Sequence, residues 1–499
     1  MKVKRIINIS IIVILLCLTA GTGSFIYNAA NSYKVNSKFV SVPLQFNPDD
    51  SSSTYKMQNS QITVYGGFVK GIQKNGDGTE SLIIRALSPL PRVTVMGNAA
   101  DDVSLLIENI NPDFYAKNAV SNLKMTKVKV NTLQLRIPVG SGQTVKIEPV
   151  QPVSADNAGQ YQYAVLGDNR DGYDTFGQII EQTNGKDPVF VIDNGDLVFS
   201  GKPNQYRLFD KAVSASSATL LTTLGNHDIR GNGRDTYTML YGPAYYSFDF
   251  ADNHFVFLDS SRGWAEKQAI SDEQYVWLEN DLVKSQGKKI FVISHIPPHD
   301  PRNGTTNNEI PNLINEVKSG KSWLEQKLNN YFENKNMNHG FQDPVEAEKF
   351  EKLMSAYHVD TVYLSHIHSY LEYTKDGVRY LISGGAGAEL LTQNSYYHYM
   401  IANIGDANKI TMVELPSPAN NYIMRYWATV QLFAKAMYEE NPVSVVLIVS
   451  GFALLILFLF ARIYLWKKQT FKKTGTWLSD TGKYAARRFK ELFGKRSGD

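Results

Sequence analysis

An α/β fold with strands buried on both faces is predicted for residues 160–415, preceded by a small β-sandwich and flanked by apolar segments at both ends. Three observations predict it. Short apolar runs alternate with helical stretches after Tyr161, polar–apolar alternations fill residues 51–150, and long uncharged apolar stretches begin near Ile6 and Val443.

In chain order, Lys2, Lys4 and Arg5 precede an apolar run from Ile6. Residues 1–30 therefore read as a signal peptide or an uncleaved signal anchor. The run exceeds the usual signal core of about 7–15 residues and shows no clean small-x-small site, so both readings stand. Residues 40–150 break into runs such as Gln61-Ile-Thr-Val-Tyr and Leu133-Gln-Leu-Arg-Ile, punctuated by Asn75-Gly-Asp-Gly, which is β-sandwich patterning. Nothing there gathers reactive side chains, so a structural or docking role is expected. Gln151 to Gly159 reads as a linker.

From residue 160 the apolar runs beginning at Tyr163, Pro188, Leu220, Ile290 and Thr361 alternate with helical patterns over 176–182, 273–284 and 346–357. Such runs suit strands covered on both faces. Residues 300–343, polar and rich in Asn and Gly, read as an insertion or lid. An aromatic juxtamembrane helix is expected over 416–440, then a transmembrane helix over 443–466 whose lone charge, Arg462, lies near its end. The tail, 467–499, places Tyr484, Phe489 and Leu492 opposite Arg487, Arg488 and Lys490, which reads either as a helix on an anionic inner leaflet or as a solvated basic tail.

Charge supports this topology. The 499 residues carry 51 Lys+Arg and 48 Asp+Glu, a net +3. Residues 467–499 hold ten Lys/Arg against three Asp/Glu, and Lys2, Lys4 and Arg5 add three more cations, which leaves −7 for residues 6–466. The basicity sits at the ends, so the general footprint of a nucleic-acid binder is missing. By the positive-inside rule the ends stay cytoplasmic and the intervening body is extracytoplasmic, in a single- or double-pass protein of the cell membrane with a bacterial look. The one cysteine, Cys17, falls in the first apolar run, which rules out a disulfide or thiolate zinc site in the body.

Each predicted strand of the α/β region ends in polar ligand types: Gly167-Asp168-Asn169-Arg170, Asp193-Asn194-Gly195-Asp196, Gly225-Asn226-His227-Asp228, Ser294-His295 and Ser365-His366-Ile367-His368. One Asp or His at a strand end is usually a cap or a structural residue, but five such ends in one sheet system point to a site. In an extended segment residues two apart face the same way, so His366 and His368 reach one place. Carboxylate, amide and imidazole donors without thiolate suit Mn, Fe or Zn.

These blocks, in this order, resemble the calcineurin-like metallophosphoesterases, and the stretch from Tyr245 to Leu278 resembles the purple acid phosphatase branch. The resemblance implies a four-layer sandwich and a centre of two divalent or trivalent metal ions. It places Asp168 and His368 on the first ion, Asn226, His295 and His366 on the second, and Asp196 between them. His227 matches the family's phosphate-contacting acid, and the implied reaction is attack on a phosphate ester by metal-bound hydroxide. Two positions depart from the pattern: Arg170 replaces a metal-binding His, and Phe199 replaces the metal-binding Tyr of purple acid phosphatases. Arg170 is expected to face the substrate phosphate. Ser365 stands where the family usually has Gly.

The expected function is a membrane-tethered extracytoplasmic phosphoesterase. The alternative is a non-catalytic cell-surface binding module with a degraded metal site. Gly384 to Glu389 reads as a turn after a strand, and His254 as a strand residue. His339 and His398 read as surface or aromatic-cluster positions, His358 as a helix-end residue, and His299 as a candidate substrate contact.

Overall fold

Alternate side chains of the strand Tyr161–Leu166 enter two different cores. Tyr161, Tyr163 and Val165 join an aromatic layer between two sheets, while Ala164 and Leu166 face helices. The same sorting repeats along the neighbouring strands and gives the body its layers. The computed structural model describes residues 22–23, 39–76, 78–115, 123–150, 152, 159–170, 172–261, 269–303, 339–390, 396–405, 409–415, 422–440 and 442–493. The N-terminal apolar segment, most of the 151–159 linker and most of the 300–343 insertion lie outside the described residues.

Ten strands come first: β1 Phe39–Ser41, β2 Ser52–Lys56, β3 Ser60–Tyr65, β4 Gly67–Lys74, β5 Glu80–Ala86, β6 Arg92–Gly97, β7 Asp101–Glu108, β8 Lys124–Lys129, β9 Thr132–Val139 and β10 Thr144–Ile147. They form sheets of order β1-β4-β5-β7-β9-β8 and β10-β6-β3-β2 around a shared core that includes Ile62, Val64, Ile84, Val95, Leu105 and Leu135. Polar and aromatic contacts join these two sheets to the α/β region. Buried Asn109 takes the left-handed conformation (φ 62°), donates to the carbonyl of Leu220 at 2.8 Å and accepts from its N–H at 2.9 Å. Phe68 and Leu87 enter the aromatic layer of the α/β region.

The α/β region runs β11 Tyr161–Leu166, α1 Tyr173–Lys186, β12 Phe190–Asp193, α2 Pro203–Val213, β13 Thr219–Thr222, α3 Gly233–Tyr241, β14 Tyr246–Phe250, β15 Asn253–Leu258, α4 Asp272–Lys284, β16 Lys289–Ser294, α5 Pro344–Ala356, β17 Thr361–Leu364, β18 Tyr370–Lys375, β19 Val378–Ser383, β20 His398–Ile404 and β21 Lys409–Glu414. One sheet has the order β13-β12-β11-β20-β21 and the other β14-β15-β16-β17-β19-β18. The strands β11 to β13 are parallel, as are β15, β16, β17 and β19. Helices α1 to α3 cover the outer face of the first sheet, and α4 and α5 cover that of the second. The result is a mixed α/β sandwich of four layers, with the aromatic core innermost.

The predicted helices at 176–182 and 273–284 fall within α1 and α4, and that at 346–357 runs one residue past the end of α5, while α2 and α3 occupy stretches left without a prediction. After the sheets come α6 Tyr422–Glu440 and α7 Pro442–Phe493. Leu432 and Phe433 of α6 pack on the outer core of the first sheet, and Arg425 donates to the Tyr397 hydroxyl at 2.8 Å. Among the described residues, Pro442–Phe460 is the one stretch long and apolar enough to cross a membrane. It belongs to α7, which continues unbroken through the basic tail to Phe493.

Two carboxylates, exposed Asp249 and buried Asp281, meet the buried His254 and link β14, β15 and α4. His254 Nδ1 lies 2.8 Å from Asp249 Oδ1 and its Nε2 lies 2.8 Å from Asp281 Oδ2, so both ring nitrogens donate and the imidazolium is favoured. Burial alone would lower the His254 pKa, but hydrogen bonds and charge attraction from Asp249 and Asp281 outweigh it and raise the pKa above the ordinary 6.5. A raised folded-state value contributes stability that is fully present below pH 6.5 and is lost as pH rises through that value. Thermal melts should therefore show a falling melting temperature above neutrality, and His254→Gln should flatten that part of the pH profile.

Candidate metal centre

The parallel strands of both sheets point their C-terminal ends at one place, where an open α/β sheet builds its sites. Asp168 follows β11, Asp196 follows β12, Asn226 and His227 follow β13, His295 follows β16, and His366 and His368 follow β17. Backbone bonds lock these loops together: Asp168 N–H donates to Gly195, and Arg170 N–H to Asp196, each at 3.0 Å. All eight residues expected at the site, Arg170 included, are brought together.

Neighbouring groups set the direction of each ligand atom. His295 Nδ1 donates to the carbonyl of Asn194 at 2.8 Å, leaving the Nε2 lone pair 3.4 Å from Asp196 Oδ1 and 3.3 Å from Asn226 Oδ1. His368 Nδ1 donates to the carbonyl of Glu389 at 2.5 Å, which turns its Nε2 toward Asp168 Oδ1, 3.5 Å away. Asp168 Oδ2 accepts from the Ser365 hydroxyl at 2.5 Å and from the His366 N–H at 2.8 Å, while its buried Oδ1 accepts no hydrogen bond. Ser365, the departure from Gly, thus holds the first carboxylate. The His366 ring centroid is 5.2 Å from that of His295. His366 and His368 reach the site from a bend in which His366 has φ 68°, rather than from the extended segment expected.

Four residues of the centre take the left-handed backbone conformation that non-glycine residues disfavour: Asp168 (φ 58°), Arg170 (33°), Asp196 (56°) and His366 (68°). Such strain persists where the surroundings over-determine it, and it clusters at functional sites.

Burial would raise the carboxylate pKa values, but for Asp168 the charges of His368, His295 and Arg170 prevail, and for Asp196 those of His295, His227 and Arg170 do; both are held below the ordinary 3.8. Asp193, beneath them, is pushed well above it by burial and by Asp228, Asp168 and Asp196. An orphaned buried carboxylate oxygen and a deprotonated carboxylate pair invite a cation. Ligand atoms of Asp168, Asp196 and His295 lie within 4.8 Å of one another, which fits a metal ion held by oxygen and imidazole nitrogen.

His227 and Arg170 lie beside this group. His227 Nδ1 donates to the Phe199 carbonyl at 2.6 Å, and its Nε2 accepts from Arg170 Nη1 at 2.9 Å and Arg230 Nη2 at 2.8 Å. Burial and then the two guanidinium charges lower the His227 pKa to about 4, against the pull of Asp196. Arg230 was not singled out from sequence, although its place two residues after Asp228 marks the same loop. Asp228 organises that loop by accepting from the N–H groups of Gly225 (2.8 Å) and Val198 (3.0 Å).

The fold also places four residues around this set. His339, expected at the surface or in an aromatic cluster, makes a ring contact with His366 at 5.2 Å and so lies at the edge of the centre. His299 Nε2 lies 3.0 Å from Glu351 Oε2, which also takes Lys375, a contact that braces α5. Glu389, at the end of the Gly384 turn, lies beside Arg170 and is a site neighbour that the sequence did not reveal. His398 sits among Tyr370 and Tyr396 as an aromatic-cluster residue.

A four-layer α/β sandwich with carboxylate, amide and imidazole groups gathered at its strand ends has the architecture of metal-dependent phosphoesterases. Residues 161–370 match the family model for calcineurin-like phosphoesterases, which supports that superfamily for this part of the chain. A glycerophosphodiester phosphodiesterase of Enterobacter lignolyticus is 30% identical over 134 residues, 24% of this chain and 46% of that protein. A probable glycerophosphodiester phosphodiesterase of Arcobacter nitrofigilis is 29% identical over 116 residues, 22% and 42% of the two chains. The chain thus spans less than half the length of these relatives. Among solved structures, a purple acid phosphatase from yellow lupin seeds (Lupinus luteus) aligns over 69% of this chain and 75% of its own, at 14% identity and a TM-score of 0.39.

Gly225 offers a test of the geometry. A Cβ there would overlap the backbone nitrogen and Oδ1 of Asp196, with no left-handed φ to complicate the change. Gly225→Ala should displace Asp196 and weaken Mn²⁺ binding by about 10–100-fold in a calorimetric titration, the range typical of disturbed metal-site support.

Proposed function

We propose that this protein is a membrane-tethered phosphoesterase whose body faces away from the cytoplasm and which hydrolyses phosphate esters at the centre built from Asp168, Asp196, Asn226, His227, His295, His366 and His368. The observation that carries the reading is the meeting of Asp168, Asp196 and His295 around a buried carboxylate oxygen that accepts no hydrogen bond. Tethering is supported by the apolar stretch Pro442–Phe460 and orientation by the basic residues after it. The names of the two bacterial relatives favour phosphodiesters as the first substrates to test.

A bound Mn, Fe or Zn ion supplies Lewis acidity and a water that ionises near neutral pH. The chain's own residues do the rest. Asp168, Asp196 and His295 hold the charge that the phosphate must meet, and the Asn194 carbonyl fixes the His295 tautomer. Arg170 and Arg230 converge on His227 Nε2, and an ester oxygen seated between the two guanidinium groups would take paired N–H donors. There the anion offsets the cationic field that keeps the free imidazole neutral, so His227 can hold a proton and give it to the leaving alkoxide. The competing reading, a binding module with a decayed centre, is disfavoured because the ligand-type side chains remain aimed at one another.

In the family pattern the ligands divide between two ions. Asn226, His295 and His366 with Asp196 make up the second set, while the first, Asp168 and His368 with Asp196, has Arg170 in place of its histidine.

Two substitutions test the reading in the metal-loaded full-length chain, assayed on mono- and diester substrates. His227→Ala should lower kcat by about 10²–10⁴-fold, the usual contribution of a general acid, with metal content unchanged. Asn226→Ala should lower metal content and turnover together. Full activity in the Asn226→Ala chain would defeat the proposed centre.

A further inference from the structure

We infer that the Arg170 guanidinium occupies the place of the first metal ion, so that the centre is mononuclear, with one ion beside a fixed organic cation. This rests on the metal-centre reading above and concerns how many ions that centre holds.

The first-ion ligands of the family pattern are Asp168, His368 and the shared Asp196. In this chain the guanidinium lies among them. Nη2 is 2.5 Å from His368 Nε2, the lone pair that would face an ion, and Nε is 3.7 Å from Asp196 Oδ2. Nη1 reaches His227 Nε2 at 2.9 Å, and Nη2 lies 3.4 Å from Glu389 Oε1. The Arg170 side chain is only 5% exposed, and a buried guanidinium needs such partners to offset its desolvation. Its left-handed backbone and its N–H bond to the Asp196 carbonyl fix it in the loop that carries both carboxylates.

Arginine cannot lose its proton to become a ligand, and it fills the space while repelling a neighbouring dication. The His368 nitrogen it occupies cannot at once accept an N–H and donate its lone pair to a metal. Asp168 Oδ1 has no hydrogen-bond partner, and its carboxylate stays close enough to Asp196 and His295 to share one ion with them on the side away from the guanidinium. Arg170 thereby becomes the fixed positive charge that the substrate phosphate meets in place of a second metal.

The test is metal stoichiometry in the full-length chain solubilised in detergent, incubated with Mn²⁺ alone and freed of excess. Mass spectrometry of the metal should give about one ion per chain, and electron paramagnetic resonance the six-line pattern of an isolated Mn²⁺ ion. The Arg170→His chain, which restores the family's ligand, should take up a second ion and give the broadened multiline signal of a coupled pair. Two ions in the unaltered chain would overturn this inference and leave the phosphoesterase reading intact. One ion in a folded Arg170→His chain, verified by circular dichroism, would also overturn it, because the guanidinium would not then be what excludes the second. No ions in either chain would defeat the metal-centre reading and this inference with it.

Discussion

The aromatic layer between the two α/β sheets is the constraint on which the centre depends. Tyr163 of β11 and Tyr363 of β17 share a buried hydroxyl–hydroxyl hydrogen bond of 2.8 Å across the sheets. Tyr163 also stacks on Phe190 at 4.9 Å and meets Phe255 edge-on at 5.4 Å. Each such pair contributes about 0.5–1.5 kcal/mol beyond its buried area, and together they fix how the sheets lie on one another. Asp168, Asp196, Asn226 and His227 come from one sheet, and His295, His366 and His368 from the other. They meet because this layer sets where the two rows of strand ends emerge.

That arrangement concentrates charge at some cost. Buried carboxylates, imidazoles and guanidinium groups are desolvated together, and four loop residues are held at unfavourable φ. The balance comes from mutual attraction, seen in the lowered pKa values of Asp168 and Asp196. It also limits what else can enter. A dication about 4 Å from the Arg170 guanidinium would be repelled by about 8 kcal/mol at an effective dielectric constant near 20, twice the figure for unit charges. The −7 carried by residues 6–466 does not help an anion approach, so local cations must supply the attraction.

Much of this was readable in the sequence because its information is local. Buried strands show as apolar runs, and a ligand placed just after such a run needs no knowledge of distant contacts, which is why Asp168, Asp196, Asn226, His295 and His368 could be picked out. What was missed depends on tertiary placement. His339 and Glu389 stand in no sequence pattern that marks a ligand, and only folding brings them to His366 and Arg170. Helices α2 and α3 are 11 and 9 residues long, too short for a periodic pattern to stand out from chance, and their stability comes from packing Tyr206, Phe209, Tyr237 and Tyr241 on the outer core. The two-residue spacing of His366 and His368 led to the right place by the wrong geometry, since a left-handed turn rather than a strand directs them.

The two departures from the family pattern, Arg170 and Phe199, belong to one arrangement. A tyrosine at 199 would serve as a ligand only if an ion stood at the first position. With a guanidinium there, an aromatic face is the better neighbour, because it attracts a cation without offering a donor to it. The Phe199 ring lies 5.8 Å from the guanidinium carbons of both Arg170 and Arg230. Its backbone carbonyl meanwhile accepts from His227 at 2.6 Å and from Arg230 at 3.1 Å. One residue thus orients the imidazole through its main chain and flanks both arginines with its side chain. Phe199 and Arg170 therefore suit one another: each fits a centre in which a fixed guanidinium stands where a metal ion would, and a tyrosine at 199 would find no ion there to bind.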